Sequence, residues 1–316
     1  MNTRTSTRRR RPSWFIRFWA VVRYEMLWNI RKKKFLGLVI VAFALATLIW
    51  VLPIVSSNAT DQPIEADPDF AVNFAIPGIG LFLFALITAM NSFSSEFESG
   101  TVVPLLTKPV SRTMVFLGKL LAALIIILFT YTILFVYGII GGTLVYGSQN
   151  NLHLVPIGLF GNILSTFLWV AIIIAAGTLS KSTIISALVA FGLFFGLLFA
   201  VQIISVLAGP SPILNYVPGS GASGKMMTPQ GQIDIGAGTD NIGVNMINYV
   251  LYPSANVDFN MTRIELQGNQ PLITQVFAYS EPISLITSRS VVTTIVYTIV
   301  FLFIAWIAFK WAQILE

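Results

Sequence analysis

Long apolar runs alternate with short polar stretches along the chain, and the runs set the first prediction. Runs free of charge occupy 35–55, 72–93, 120–146, 154–180, 182–208 and 291–309. A helix needs about 20 residues to cross roughly 30 Å of hydrocarbon, so each run is long enough to span a membrane. Residues 13–31 are too polar to cross. At 100° per residue, Phe15, Phe18, Trp19, Val22, Met26 and Ile30 share one face of that segment, with Arg17, Tyr24 and Arg31 opposite. This predicts an amphipathic helix that lies at the membrane interface or packs on the protein's own loops.

The expected fold is an all-α polytopic membrane protein with six transmembrane helices. Residues 1–34 form a basic tail and the interfacial helix, and 35–208 hold spans one to five with an elbow at 94–112. A long segment rich in Gly, Pro, Asn and Gln, 209–290, precedes span six, which occupies 291–316 with the C-terminus. Composition agrees: 55% of residues are hydrophobic, 10% are charged and the mean hydropathy is +0.80, whereas soluble domains carry about 25% charge. The first run lacks a small-x-small cleavage site and reads as a retained span.

Charge fixes the orientation. The net charge of +6 comes from RRRR at 8–11 and RKKK at 31–34, both just before an apolar span. That placement fits anchoring against anionic headgroups and not a nucleic-acid arm. With both termini on one side of six spans, 16 of the 19 Lys and Arg fall on that side; Lys225, Arg263 and Arg289 fall on the other. The expectation is a cell-membrane protein with cytoplasmic termini and an extracytoplasmic 209–290 segment. The sequons at Asn58 and Asn260 then lie outside and permit N-glycosylation.

Several chemistries are excluded or disfavoured. The chain has no Cys, which removes thiol catalysis, disulfides and Cys-based metal sites, and its single His153 cannot complete a metal shell. No acid, base or His lies deep in a span, an argument against an ion-coupled carrier. Lys119 and Lys310 are placed near span ends, where their stems can snorkel. Asn91, Thr130, Thr132, Asn162, Ser165, Thr166 and Gln202 read as interhelical hydrogen-bonding groups, and Phe191, Phe194, Phe195 and Phe199 line one side of span five. The stretch GSGASGKMM, 219–227, approaches the G-x-x-x-x-G-K-[ST] phosphate loop but places Met226 where a Mg²⁺-binding hydroxyl belongs. Its flanks lack the required strand and helix.

The loop between spans two and three, NSFSSEFESGTVVPLLTKPVSRTMVFLGKLL at 91–121, carries the most specific signal. Ser95-x-x-Glu98 has capping-box spacing. Gly100 permits a turn, Thr101 can cap a short apolar segment from Val102 to Leu106, and Lys108-Pro109 stops it. Ser111 caps span three. An apolar knob facing the cytosol asks for a partner.

This loop resembles that of permease subunits of ABC-2 type ABC transporters, E-x-E-x-G-T-hydrophobic-x-x-L-L-x-x-P-[VI]-S-R-x-x-hydrophobic-x-x-G-K. Glu96, Glu98, Gly100, Thr101, Leu105, Leu106, Pro109, Ser111, Arg112, Gly118 and Lys119 occupy the corresponding positions. The amphipathic helix and six-span order extend the likeness, as does NYVLYPSANVDF at 248–259. The resemblance implies a non-catalytic permease half that pairs with a second, identical or different, half. It implies a separate cytosolic ATPase subunit that binds the ATP and Mg²⁺ and docks on a coupling helix at Val102 to Leu106, next to a Glu-bearing gate helix. The apolar, aromatic span surfaces suit export of an amphiphilic or hydrophobic substrate. Two other readings use the same residues: an ATPase-coupled subunit for signalling or assembly, and a polytopic scaffold or enzyme without an ATPase.

Overall fold

The computed structural model describes residues 13–311 except 32, 62, 65, 100–109, 230, 268 and 269. Among them, six helices are long and apolar enough to cross a membrane. The first helix, α1 (Trp14–Ile30), is not one of these; it starts at Ser13, whose Oγ accepts from the Ile16 N–H at 3.4 Å. Span one is α2 (Lys33–Thr60). Span two combines α4 (Gly78–Ala89) and α5 (Ser94–Glu98), and is preceded by the short α3 (Phe70–Asn73). Spans three to six are α6 (Arg112–Tyr146), α7 (Val155–Ser180), α8 (Thr183–Leu207) and α10 (Ile283–Trp311). The side of the bundle holding α1 and the end of α10 is the terminal side.

Two spans depart from the apolar runs. The run 72–93 is not one helix, because Pro77 lacks an N–H and disfavours helical backbone before it. Phe74 turns extended, α4 begins only at Gly78, and the Ile76 N–H freed by the break donates to Asn162 Oδ1 at 3.2 Å. The last helix starts eight residues before 291. It takes in Arg289, whose charge is met by a bidentate contact to Glu281 at 3.0 and 2.7 Å.

Opposite the terminal side, the segment from 209 folds into a four-stranded antiparallel sheet, which the sequence pattern did not predict. Strands β1 (Ser223–Thr228), β2 (Gly231–Gly236), β3 (Asn256–Gln267) and β4 (Gln270–Pro282) are ordered β2-β1-β3-β4. Its inner face buries Ala222, Met226, Ile235, Val257 and Phe259 against Ile283 and Ile286 at the start of α10. The tight turn into β1 uses Gly221 at φ +65°, where a Cβ would meet the backbone of Gly238. Helix α9 (Ile242–Leu251) lies between β2 and β3 and docks on α7.

Helix α7 is the hub: α4, α6, α8, α9 and α10 all pack on it. Phe82 of α4 stacks on Phe194 of α8 at 4.4 Å, and Trp169 of α7 meets both edge-on at 5.5 and 5.1 Å. Phe194 therefore points into the core, while Phe191, Phe195 and Phe199 stack along the surface of α8 at 6.0 and 6.2 Å. Thr166 shares a 2.7 Å hydrogen bond with Tyr131 of α6. Among the described residues Thr132 bonds only to its own helix, through the Leu128 carbonyl.

Candidate functional site

The residues that flank 100–109 converge on the terminal side. Ser111 opens α6: its Oγ accepts from the Met114 N–H at 3.1 Å, as the cap reading expects. Arg112 reaches the far end of the chain, where Nη1 donates to the Lys310 carbonyl of α10 at 2.7 Å. Two turns into α6, Gly118 lets α1 approach, since a Cβ there would sit 2.8 Å from Val21 Cγ1. The close approach brings Glu25 of α1 to Lys119.

Lys119 does not snorkel. It is 4% exposed, and its ammonium donates to Glu25 Oε1 at 2.7 Å and to Glu96 Oε1 of α5 at 2.8 Å. The same ammonium lies 5.5 Å from the centre of the Phe93 ring, a cation–π distance. One cation thus joins three elements, α1, α5 and α6. Desolvating buried ions costs several kcal/mol each, which only close pairing offsets. The triad fixes where α5 sits.

Glu98 makes a second tie. The spacing with Ser95 suggested a capping box, yet Ser95 Oγ donates back to the Asn91 carbonyl and α5 starts one residue earlier. Glu98 instead crosses to α8, accepting from the Thr183 N–H at 2.7 Å and from Ser182 Oγ at 3.0 Å. There its negative charge faces a helix N-terminus, a favourable placement. Ser94 Oγ and Thr183 Oγ1 add a contact at 3.1 Å. Phe309 of α10 closes the cluster, 5.1 Å from Phe93, 6.2 Å from Phe97 and 6.1 Å from Phe116.

The remaining motif residues, Gly100, Thr101, Val102, Leu105, Leu106 and Pro109, lie outside the described residues. Sequence reasoning missed Glu25. The signal was present: it is the one acid of α1, and helical spacing puts it on the stripe of Val22 and Asn29.

A second polar junction joins the sheet to the spans. Ser165 Oγ donates to the Thr239 carbonyl at 2.6 Å, and Trp169 Nε1 donates to Asp240 Oδ1 at 3.0 Å. Asp240 lies beside the first turn of α4, its Oδ2 2.8 Å from where a Gly78 Cβ would stand. Burial pushes this carboxyl up to about 7. An ionisable group thus does meet a span, from the sheet side. GSGASGKMM runs into β1, where Lys225 pairs across the sheet with Asp234 and Asp258 and Met226 is buried.

Asn58 lies exposed near the end of α2, and Asn260 lies partly buried in β3. Among the described residues no group of three His, Asp or Glu could hold a metal ion. No curated relative matches the chain at a significant level. The family model described as ABC-2 family transporter protein matches residues 19–313. With that match across nearly its whole length, and with six membrane helices, the chain belongs to the ABC-2 transporter family as a transmembrane component.

Proposed function

We propose that the chain is one half of an ATP-driven export permease, with the terminal side in the cytoplasm and the sheet outside. A separate ATPase subunit binds ATP and Mg²⁺ and docks on Val102 to Leu106; this chain itself is non-catalytic. A second permease half, identical or different, completes the path. The observation that carries the reading is the bracing of both flanks of 100–109. Glu96 and Glu98 before it, and Arg112 and Lys119 after it, are tied to α1, α8 and α10. Through short polar contacts, a pull on the segment reaches three helices beyond α5 and α6 themselves.

The route to the membrane follows from those ties. Motion of α5 acts on α8 through Thr183 and on α1 through Lys119, while motion of the α6 end acts on α10 through Lys310. The ladder of exposed Phe191 and Phe199 about half-buried Phe195 offers an apolar, aromatic wall, which suits an amphiphile better than an ion. Co-reconstitution with an ABC ATPase subunit that binds it should give ATP-dependent movement of a fluorescent amphiphile across vesicles. ATPase binding without any flux would favour a second reading, mechanical signalling. That reading has its own support, since β4 runs directly into α10 and Glu281 clamps Arg289 across the junction.

A further inference from the structure

Helix α1 presents two different faces. The inner one is taken by α6, with Val22 fully buried and Glu25 and Asn29 following at helical spacing. The apolar face expected from the sequence is divided: Phe18, Val22 and Met26 turn inward, and Phe15, Trp19 and Ile30 turn out. With Ile16 and Leu27 these last form a strip about 110° round the helix from the buried one. Its five side chains are between 43 and 67% exposed. Such a strip wants an apolar cover.

Position and charge say what covers it. At 1.5 Å per residue, the 35 residues of α6 extend about 52 Å, well beyond roughly 30 Å of hydrocarbon, so its ends reach the headgroup layers. α1 packs beside Gly118 and Lys119 near one of those ends, and α2 enters the membrane directly after it. Arg23, Arg31, Lys33 and Lys34 are exposed along α1 and its exit. The only acid of the helix, Glu25, is turned inward onto Lys119. An apolar strip with outward charge of one sign, at headgroup level, fits an anionic lipid surface.

We infer that α1 reads the charge of the leaflet on the terminal side and passes it to α5 through the Glu25–Lys119–Glu96 triad. Anionic phospholipid holds the four cations and seats the strip. The seat of α1 sets the position of Glu25, and Glu25 shares its one cation with Glu96. A leaflet rich in anionic lipid draws α1 outward and alters the hold on α5. The inference rests on the reading of α5 as a moving element, and its lipid comparisons use the full-length permease without the ATPase, so it can fail while ATPase docking stands.

The test places the chain, free of native Cys, in nanodiscs of phosphatidylcholine alone or of an equal mixture with phosphatidylglycerol. A bimane on Trp19→Cys reports quenching by lipids carrying a nitroxide on the acyl chain, and a nitroxide on Ser99→Cys reports the mobility of the end of α5. Labelled phosphatidylglycerol should quench about twofold more than labelled phosphatidylcholine, and the Ser99 spectrum should differ between the two discs. Combining Arg23→Gln, Lys33→Gln and Lys34→Gln should remove both effects. Glu25→Gln should keep the lipid preference and remove the Ser99 response. Equal quenching by the two lipids would overturn the inference, as would a Ser99 response indifferent to Glu25→Gln. A strip dark to both lipids and shielded only on adding the ATPase would make it a protein-docking surface instead.

Discussion

At the scale of single residues, two of the buried ionisable sites behave in opposite ways. Lys119 holds two carboxylates, so Lys119→Met leaves uncompensated negative charge in a buried place. Loss of a buried partner typically costs about 3–5 kcal/mol, and the purified variant should melt well below wild type. Adding Glu25→Gln and Glu96→Gln to it should restore most of the loss; no restoration would mean the triad is incidental to stability. Among the described residues Asp240 has no comparable cation at its carboxylate, which faces Trp169 and the start of α4. Its folded value of about 7 lies above the ordinary 3.8, so the folded state keeps a proton that the unfolded chain releases. Stability from this group is full below pH 3.8, falls as pH rises towards 7 and stays low above. Asp240→Asn should therefore raise the melting temperature at pH 8 more than at pH 5; an equal effect at both would contradict the assignment.

At the scale of elements, close backbone approaches decide what can be changed. A Cβ at Gly161 of α7 would stand 2.4 Å from Gly243 Cα of α9, whereas one at Gly192 of α8 meets nothing within 4 Å. Gly161→Val should separate α7 from α9, lower the melting temperature and expose a Cys placed at Ser165 to thiol reagents, while Gly192→Ala leaves both unchanged. Comparable losses from the two substitutions would undo that distinction. The spans were legible because twenty apolar residues in a row have few other uses. The break at Pro77 was readable in principle, but its cost is met by Asn162, 86 positions after Ile76, and such long-range satisfaction leaves no local trace. The sheet was hidden for a related reason. Its inner face is carried by short alternations such as Gly224 and Met226, amid Gly and Asn that look like loop. The early start of α10 was masked by Arg289, which reads as a boundary until Glu281 is seen beside it.

At the scale of the whole molecule, the motif around 91–121 was legible as a pattern, and its partners were not. Glu96, Glu98, Arg112 and Lys119 were named from the resemblance to the ABC-2 loop, yet their contacts lie on α1, α5, α8 and α10, which only the fold brings together. Topology can be tested separately: with single cysteines at Ser6 and Ser223, an impermeant maleimide should label only the second in intact cells. The central claim is that the segment between the two braced flanks receives an ATPase. It is tested most directly by Leu105→Asp, because a carboxylate without a partner is not readily desolvated in a docking groove. The measurement is co-purification with the partner ATPase subunit, together with stimulation of its hydrolysis, with Lys225→Ala as the control on the sheet side. Leu105→Asp should lose association or stimulation while remaining inserted and folded, and Lys225→Ala should match wild type. Wild-type association and stimulation by Leu105→Asp would contradict the account, as would loss of function in Lys225→Ala accompanied by nucleotide binding to the permease alone.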